Sequence, residues 1–210
     1  MTGLDPYRGT IVEVAVIITD GDLRREVIGP NIVVHHTDEV LASMNEWSTK
    51  QHGESGLTAR SRASTVTLAA AEESVLAFVL AHCRRGEKVQ LAGACVYKDR
   101  EFIDAHMPSL AKALHHRIVD VSSVRELARR WYQADYHAAP RSVAAHRALD
   151  DIRHTIEELK HYRRAIFRPP AAEPEGRGSA GGRERRGKPP RGKRVPGVGR
   201  GGAPPAAPAW

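Results

Sequence analysis

The run Ile11-Val12-Glu13-Val14-Ala15-Val16-Ile17-Ile18-Thr19 is β-branched almost without a break. Such a segment has little polar alternation to offer solvent, so it predicts a strand buried on both faces in the middle of a sheet. Asp20-Gly21-Asp22 supplies turn chemistry after it. Val27-Ile28 and Asn31-Ile32-Val33-Val34 then read as the returning strands of an antiparallel meander.

From Thr37 the period changes. Thr37 is a candidate N-cap, Asp38 and Glu39 favour a first turn, and Val40, Leu41, Met44 and Trp47 recur at helical spacing, predicting one helix that ends near His52-Gly53. A second helix, capped by Thr67, carries Leu68, Val75, Leu76, Val79 and Leu80 and stops at Arg84-Arg85-Gly86. Val89 to Gly93 is a short strand. A helix over 97–106 follows and is broken by Pro108, and His116 to Val121 is another short strand. Ser123 with Glu126 forms a capping box for a helix over 123–131. Leu149, Ile152, Ile156, Leu159 and Ile166 share a face of a last helix over about 147–166. Strands first and then alternating helices and short strands make a mixed α/β layered fold.

The 41% hydrophobic share of 210 residues suffices for one core of about 150 residues. No window approaches a transmembrane length, the first residues carry no targeting pattern, and Cys83 and Cys95 make no disulfide framework or structural zinc site. The expectation is a protein of a reducing compartment with no membrane partner. The net charge of +7 is confined: residues 1–167 hold 22 Lys+Arg against 22 Asp+Glu, and 168–210 hold 10 against 3. Those last residues also contain 10 of the 18 glycines and 9 of the 13 prolines, a composition that predicts a disordered tail. Its Arg/Gly/Pro run suits weak phosphate binding or no function at all.

Three features could carry chemistry. Asp99 follows a strand ending in Leu91-Ala92-Gly93, where α/β proteins place ligands, and is equally an ordinary first-turn acid. His146 precedes Asp150 and Asp151 at the start of a long helix, and helical facing alone selects Asp150, at i+4. Gly3-Leu4-Asp5-Pro6 is most simply a turn.

Taken in order, these motifs resemble the oligoribonucleases, a branch of the DEDD-type 3′-to-5′ exonucleases, and most closely the mitochondrial type. The resemblance runs from Met1 to about Phe167. It rests on Met1-Thr2-Gly3-Leu4-Asp5-Pro6, Met44-Asn45-Glu46-Trp47, His52-Gly53-Glu54-Ser55-Gly56-Leu57, His115-His116-Arg117 before Asp120-Val121-Ser122, Glu126 to Trp131, and His146-Arg147-Ala148-Leu149-Asp150-Asp151-Ile152. It implies a ribonuclease H-like exonuclease fold with a mixed sheet flanked by helices, an exonuclease domain over 1–167, and homodimers. It also implies hydrolysis of short RNA oligonucleotides to mononucleotides by two divalent ions, Mg²⁺ or Mn²⁺, about 4 Å apart.

The resemblance assigns roles residue by residue. Asp99 matches the third metal-ligating carboxylate and His146 the general base, and the family's i+5 spacing selects Asp151 over Asp150 as the fourth. Leu4 matches an apolar wedge under the bases, Trp47 and His52 match positions near substrate, and His116 and Arg117 lie where the 5′ phosphate is capped. Core packing is the competing role for Leu4 and Trp47. The family's Asp-x-Glu strand, which precedes the Met-Thr-Gly-Leu sequence, is absent here. The expectation is a chain begun at an internal methionine or lacking its first exon, without its first strand, holding one ion loosely or none. Gly93-Ala94-Cys95-Val96 replaces the usual Gly-Asn-Ser, and His116 replaces a tyrosine. A chain that only binds RNA, or an inert fragment, is the alternative to an enzyme. Mitochondrial or cytoplasmic residence is implied by the resemblance alone.

Overall fold

A computed structural model of the chain describes residues 1–84, 86–140 and 147–168. The β-branched run forms β1 (Glu13–Thr19), and the Asp20 carboxylate closes the following turn by accepting from the Arg24 amide at 2.8 Å. β2 (Glu26–Val33) returns antiparallel, with Thr19 opposite Glu26 and Glu13 opposite Val33. Where two returning strands were expected there is one, because Gly29-Pro30 continues the strand. A Cβ at Gly29 would collide with the Phe78 ring, so glycine allows the strand to pass under that side chain. β1 is half-buried along its length rather than central: β2 is its only hydrogen-bonded neighbour among the described strands, and helices pack on it instead.

The helix expected over Thr37–Gly53 is divided into α1 (Asp38–Ala42) and α2 (Glu46–Glu54). The cause is Asn45, whose side chain accepts from the Ser48 amide at 2.8 Å and restarts the helix. α3 (Leu57–Ala63), unforeseen from periodicity, begins after Gly56 at φ +70°. α4 (Leu68–His82) is capped as expected by Thr67, which accepts from the Ala70 amide.

β3 (Val89–Gly93) leads into α5 (Val96–His106). Pro108 opens α6 (Pro108–Ala113) rather than ending helical structure, since the first helical position needs no N–H bond. β4 (Leu114–Asp120) lies parallel to β3, with Gly93 opposite Asp120. α7 (Val121–Trp131) is capped by Asp120, which accepts from the Ser122 amide at 2.9 Å, and not by the expected Ser123 box. Glu126 is drawn instead to Arg129 and Arg130, whose guanidinium groups hold its carboxyl down at about 2. α8 (Gln133–Ala138) and α9 (Ala148–Ala165) complete the described chain.

The expected mixed α/β class is present as an antiparallel pair, a parallel pair and flanking helices. Both pairs contribute to one core: Val14, Val16 and Ile32 pack with Leu91 and Leu114 around Val75, Phe102 and Met107. β1 and β3 are not hydrogen-bonded to each other. α9 packs along β1 and is tied to the hairpin by Lys160–Glu26 at 2.6 Å and by Arg163–Asp22. Its other side meets α7, where Arg125 clasps the buried Glu158 with bonds of 2.6 and 2.5 Å. Beside that pair, burial first and then the Glu158 charge push the Tyr162 hydroxyl up to about 12. No single described helix is long and apolar enough to cross a membrane.

Candidate active site

Parallel β3 and β4 finish side by side, so the polar groups at their carboxyl ends converge. Cys95 sits between β3 and α5 at φ +52° and ψ +32°, a left-handed conformation that aims its N–H across at β4. That N–H donates to Ser122 Oγ at 2.9 Å and to Asp120 Oδ1 at 3.1 Å. The Cys95 thiol lies 3.3 Å from Ser122 Oγ. Two helix starts are thereby knitted together at one end of the sheet, the position at which open α/β sheets bind ligands.

Asp99 stands in the first turn of α5. Desolvation raises its carboxyl above the ordinary carboxylate range, with the Asp120 charge adding to the effect and the chain's terminal ammonium opposing it. The residue as a whole is nonetheless exposed, which tempers that effect and suits a group that must exchange partners. The Met1 ammonium is buried, and desolvation holds it below its ordinary pKa, although Asp99 and Glu13 both pull the other way. The Met1 carbonyl lies 2.9 Å from His52 Nε2. The Met1 residue therefore touches His52 of α2 and feels the charges of Asp99 and Glu13.

Leu4 and Trp47 are 69% and 65% exposed, which removes core packing as their role. Leu4 forms one wall of an open groove with Asp5, Pro6, Tyr7 and the Lys98 and Glu101 side chains of α5. Along β4, the His115 and His116 rings lie 4.2 Å apart, and His116 and Arg117 are exposed. Partial burial, reinforced by His116, Arg117 and Lys88, depresses the His115 pKa. Arg117 makes no ion pair among the described residues, so its guanidinium is available to an anion.

Asp150 and Asp151 both lie in the first turn of α9 and both are exposed. Asp150 is within 3.5 Å of Arg153. Asp151 bonds through its amide to the Arg147 carbonyl, and its own carbonyl accepts from Thr155. His146 lies outside the described residues.

Two carboxylates escaped the sequence reading. Asp120 was visible only as part of a motif, and its nearness to Asp99 depends on the parallel register. Glu13 lay inside an apolar run and read as strand filler; its charge is the signal that could have exposed it, since a buried strand seldom carries an unpaired acid. For a hard divalent cation the donor chemistry is right, because Asp99 and Asp151 supply oxygen. The number is short: among the described residues no cluster of three or more His, Cys, Asp or Glu side chains is placed to hold a metal ion.

Comparison with known proteins adds a second line of support. The RNase_T family model, described as exonuclease, matches residues 1–159. The mitochondrial oligoribonuclease of Mus musculus is 49% identical over 168 residues, covering 80% of this chain and 70% of the mouse protein. An oligoribonuclease of Corynebacterium glutamicum is 50% identical over 167 residues, 80% of this chain and 76% of its own. That of Halorhodospira halophila is 47% identical over 171 residues, 81% of this chain and 92% of its own.

Proposed function

The chain belongs to the oligoribonucleases of the RNase_T exonuclease family, and from that membership we propose that its carboxylate-lined sheet end serves the removal of mononucleotides from the 3′ end of short RNAs. The observation that carries this reading is the convergence of the α5 start, where Asp99 stands, with the end of β4 at Asp120, the Cys95 N–H donating to Asp120 and Ser122, while Leu4 and Trp47 remain exposed. In this reading Leu4 and Trp47 offer apolar surface to the bases, while Arg117, with His116 beside it, attracts the 5′ phosphate. His52 is held near Met1 and orders the substrate-facing side. His146 takes the proton from the attacking water. Mg²⁺ or Mn²⁺ would supply charge neutralisation at the scissile phosphate, with Asp99 and Asp151 as its ligands.

Asp99 and Asp151 together bring −2, and two Mg²⁺ bring +4. Mg²⁺ surrenders its water reluctantly without anionic oxygen, so the 210-residue chain is expected to turn over feebly. The assay is mononucleotide release from a labelled RNA dinucleotide in Mg²⁺ or Mn²⁺. It compares this chain with one extended by a strand carrying Asp-x-Glu, and that extended chain with Asp99→Asn, Asp151→Asn or His146→Ala. Near-zero, substantial and near-zero release is expected in turn, the losses being about 100-fold or more. Equal rates for the short and extended chains would refute the ligand assignment. An extended chain that binds dinucleotide and releases nothing would favour RNA binding without catalysis.

The assembly in this reading is a homodimer, supported by Tyr97, Val119, Leu127 and Trp131, which remain exposed around α5, β4 and α7. The mitochondrial designation of the mouse and human relatives supports residence in mitochondria or cytoplasm, to be checked by imaging the tagged protein. Residues 168–210 add phosphate affinity without sequence preference. Truncation after Phe167 should flatten the salt dependence of binding to longer RNA and leave dinucleotide affinity unchanged; a salt slope that stayed the same would exclude the tail from RNA binding.

A further inference from the structure

The start of α9 is built differently from the starts of α2, α4 and α7. Those three carry their own side-chain caps in Asn45, Thr67 and Asp120, whereas Arg147 at the N-cap of α9 provides none. The Ala148 N–H donates instead to Glu13 Oε2, 3.3 Å away on β1 and 135 positions earlier in the chain. Glu13 Oε1 accepts from Arg60 Nη1 of α3 at 3.2 Å. The Glu13 side chain is only 5% exposed.

One carboxylate thus spends its two oxygens on two different elements. A glutamate on an apolar strand is costly to bury unless its charge is met. Here it is met by a guanidinium on one side and by the positive end of a helix on the other. The groups around it come from every direction: Arg60 from α3, the Met1 ammonium, and the Ala148 amide. The same ammonium also feels Asp99. Glu13 therefore touches the helix turn that carries Asp151 and shares the Met1 ammonium with Asp99.

We propose that Glu13 is a positioning residue, which caps α9 across the fold and so fixes the place of Asp151 relative to Asp99. Its consequence for catalysis rests on the exonuclease reading; the cap itself does not. Arg60 alone would need only one oxygen and any nearby acid. The second oxygen on the Ala148 amide is what links β1 to the site.

The test uses the full 210-residue chain and amide hydrogen exchange read by NMR. Arg60→Met is the reference background, so that removing Glu13 strands no guanidinium. Glu13→Ala in that background is expected to speed exchange at the Ala148 and Asp151 amides about fivefold, with amides in the middle of α4 unchanged. Glu13→Gln, which keeps an acceptor for the Ala148 N–H, should restore most of the protection. Unchanged exchange at Ala148 and Asp151, a uniform rise across α4 and α9, or failure of Gln to rescue would each overturn the proposal. In parallel, Mn²⁺ should broaden the signals of Asp99 and Asp151 together in the reference and those of Asp99 alone in the Ala variant. Broadening of both in the Ala variant would overturn positioning. Should Mn²⁺ broaden neither signal in the unsubstituted chain, the metal reading falls while exchange still decides the role of Glu13.

Discussion

The antiparallel pair β1–β2 and the parallel pair β3–β4 are equal in strand number and opposite in finish. Around the hairpin three acids are each answered by a cation within the chain: Glu13 by Arg60, Glu26 by Lys160, Asp22 by Arg163. At the end of the parallel pair Asp99 is held against its own ionisation, Arg117 has no ion-pair partner among the described residues, and Tyr97, Leu127 and Trp131 face solvent. One region is a frame that completes itself, and the other is a surface left for something else to complete. Stability and chemistry are thereby separated, and substitutions in the two regions should fail in different ways.

The largest loss of stability is expected where α9, which packs along the hairpin, meets α7. Arg125→Ala leaves the Glu158 carboxylate buried without its bidentate partner, and chemical denaturation should show a loss of about 3 kcal/mol. A loss below about 1 kcal/mol would mean that water reaches Glu158 and that the α7–α9 contact is no frame at all.

At the site the sign reverses. Because burial raises the Asp99 carboxyl, the native state favours its protonated form. That contribution is complete below the unfolded pKa of about 3.9 and is lost as pH rises through the raised native value. Near neutral pH the side chain therefore costs stability. Asp99→Asn should raise the melting temperature by about 1–2 °C, a modest figure because solvent reaches part of the residue. The gain should vanish at pH 3. An equal gain at both pH values would trace it to packing rather than charge, and a lower melting temperature would make Asp99 part of the frame.

The smallest thermal effect belongs to the apolar surface. Trp131→Glu should leave stability within about 0.5 kcal/mol, since the ring is mostly in solvent. Sedimentation should nonetheless show dimers replaced by monomers. A monomeric parent would refute the proposed homodimer, and a variant as dimeric as the parent would move its interface off this face.

The sequence revealed β1, α4, β3 and α9 with good boundaries because each has a strong period, a local cap or a length that admits one reading. It misjudged places where a single side chain decides between continuations. Asn45 restarts a helix, Gly29 carries a strand beneath Phe78, and Asp120 takes the cap that Ser123 and Glu126 seemed to offer. At the proposed site, Asp99 stands out by its place after β3, whereas the choice of Asp151 over Asp150 comes only from the ordered resemblance. Glu13 and Asp120 matter through contacts that span the chain or a parallel register, and no window of neighbouring residues contains that information.

The clasp between the two ends of the described chain also sets an order of assembly. Ala148 to Glu13, Lys160 to Glu26 and Arg163 to Asp22 join residues separated by 135, 134 and 141 positions, and contacts of such separation close slowly. During synthesis β1 and β2 emerge long before α9 exists, so the face that α9 covers must wait exposed while more than a hundred residues are made. Docking of the last helix is then the late step of folding. The turn bearing Asp151 is placed only with it, so the last part of the fold to be assembled is the one that brings Asp151 to its position.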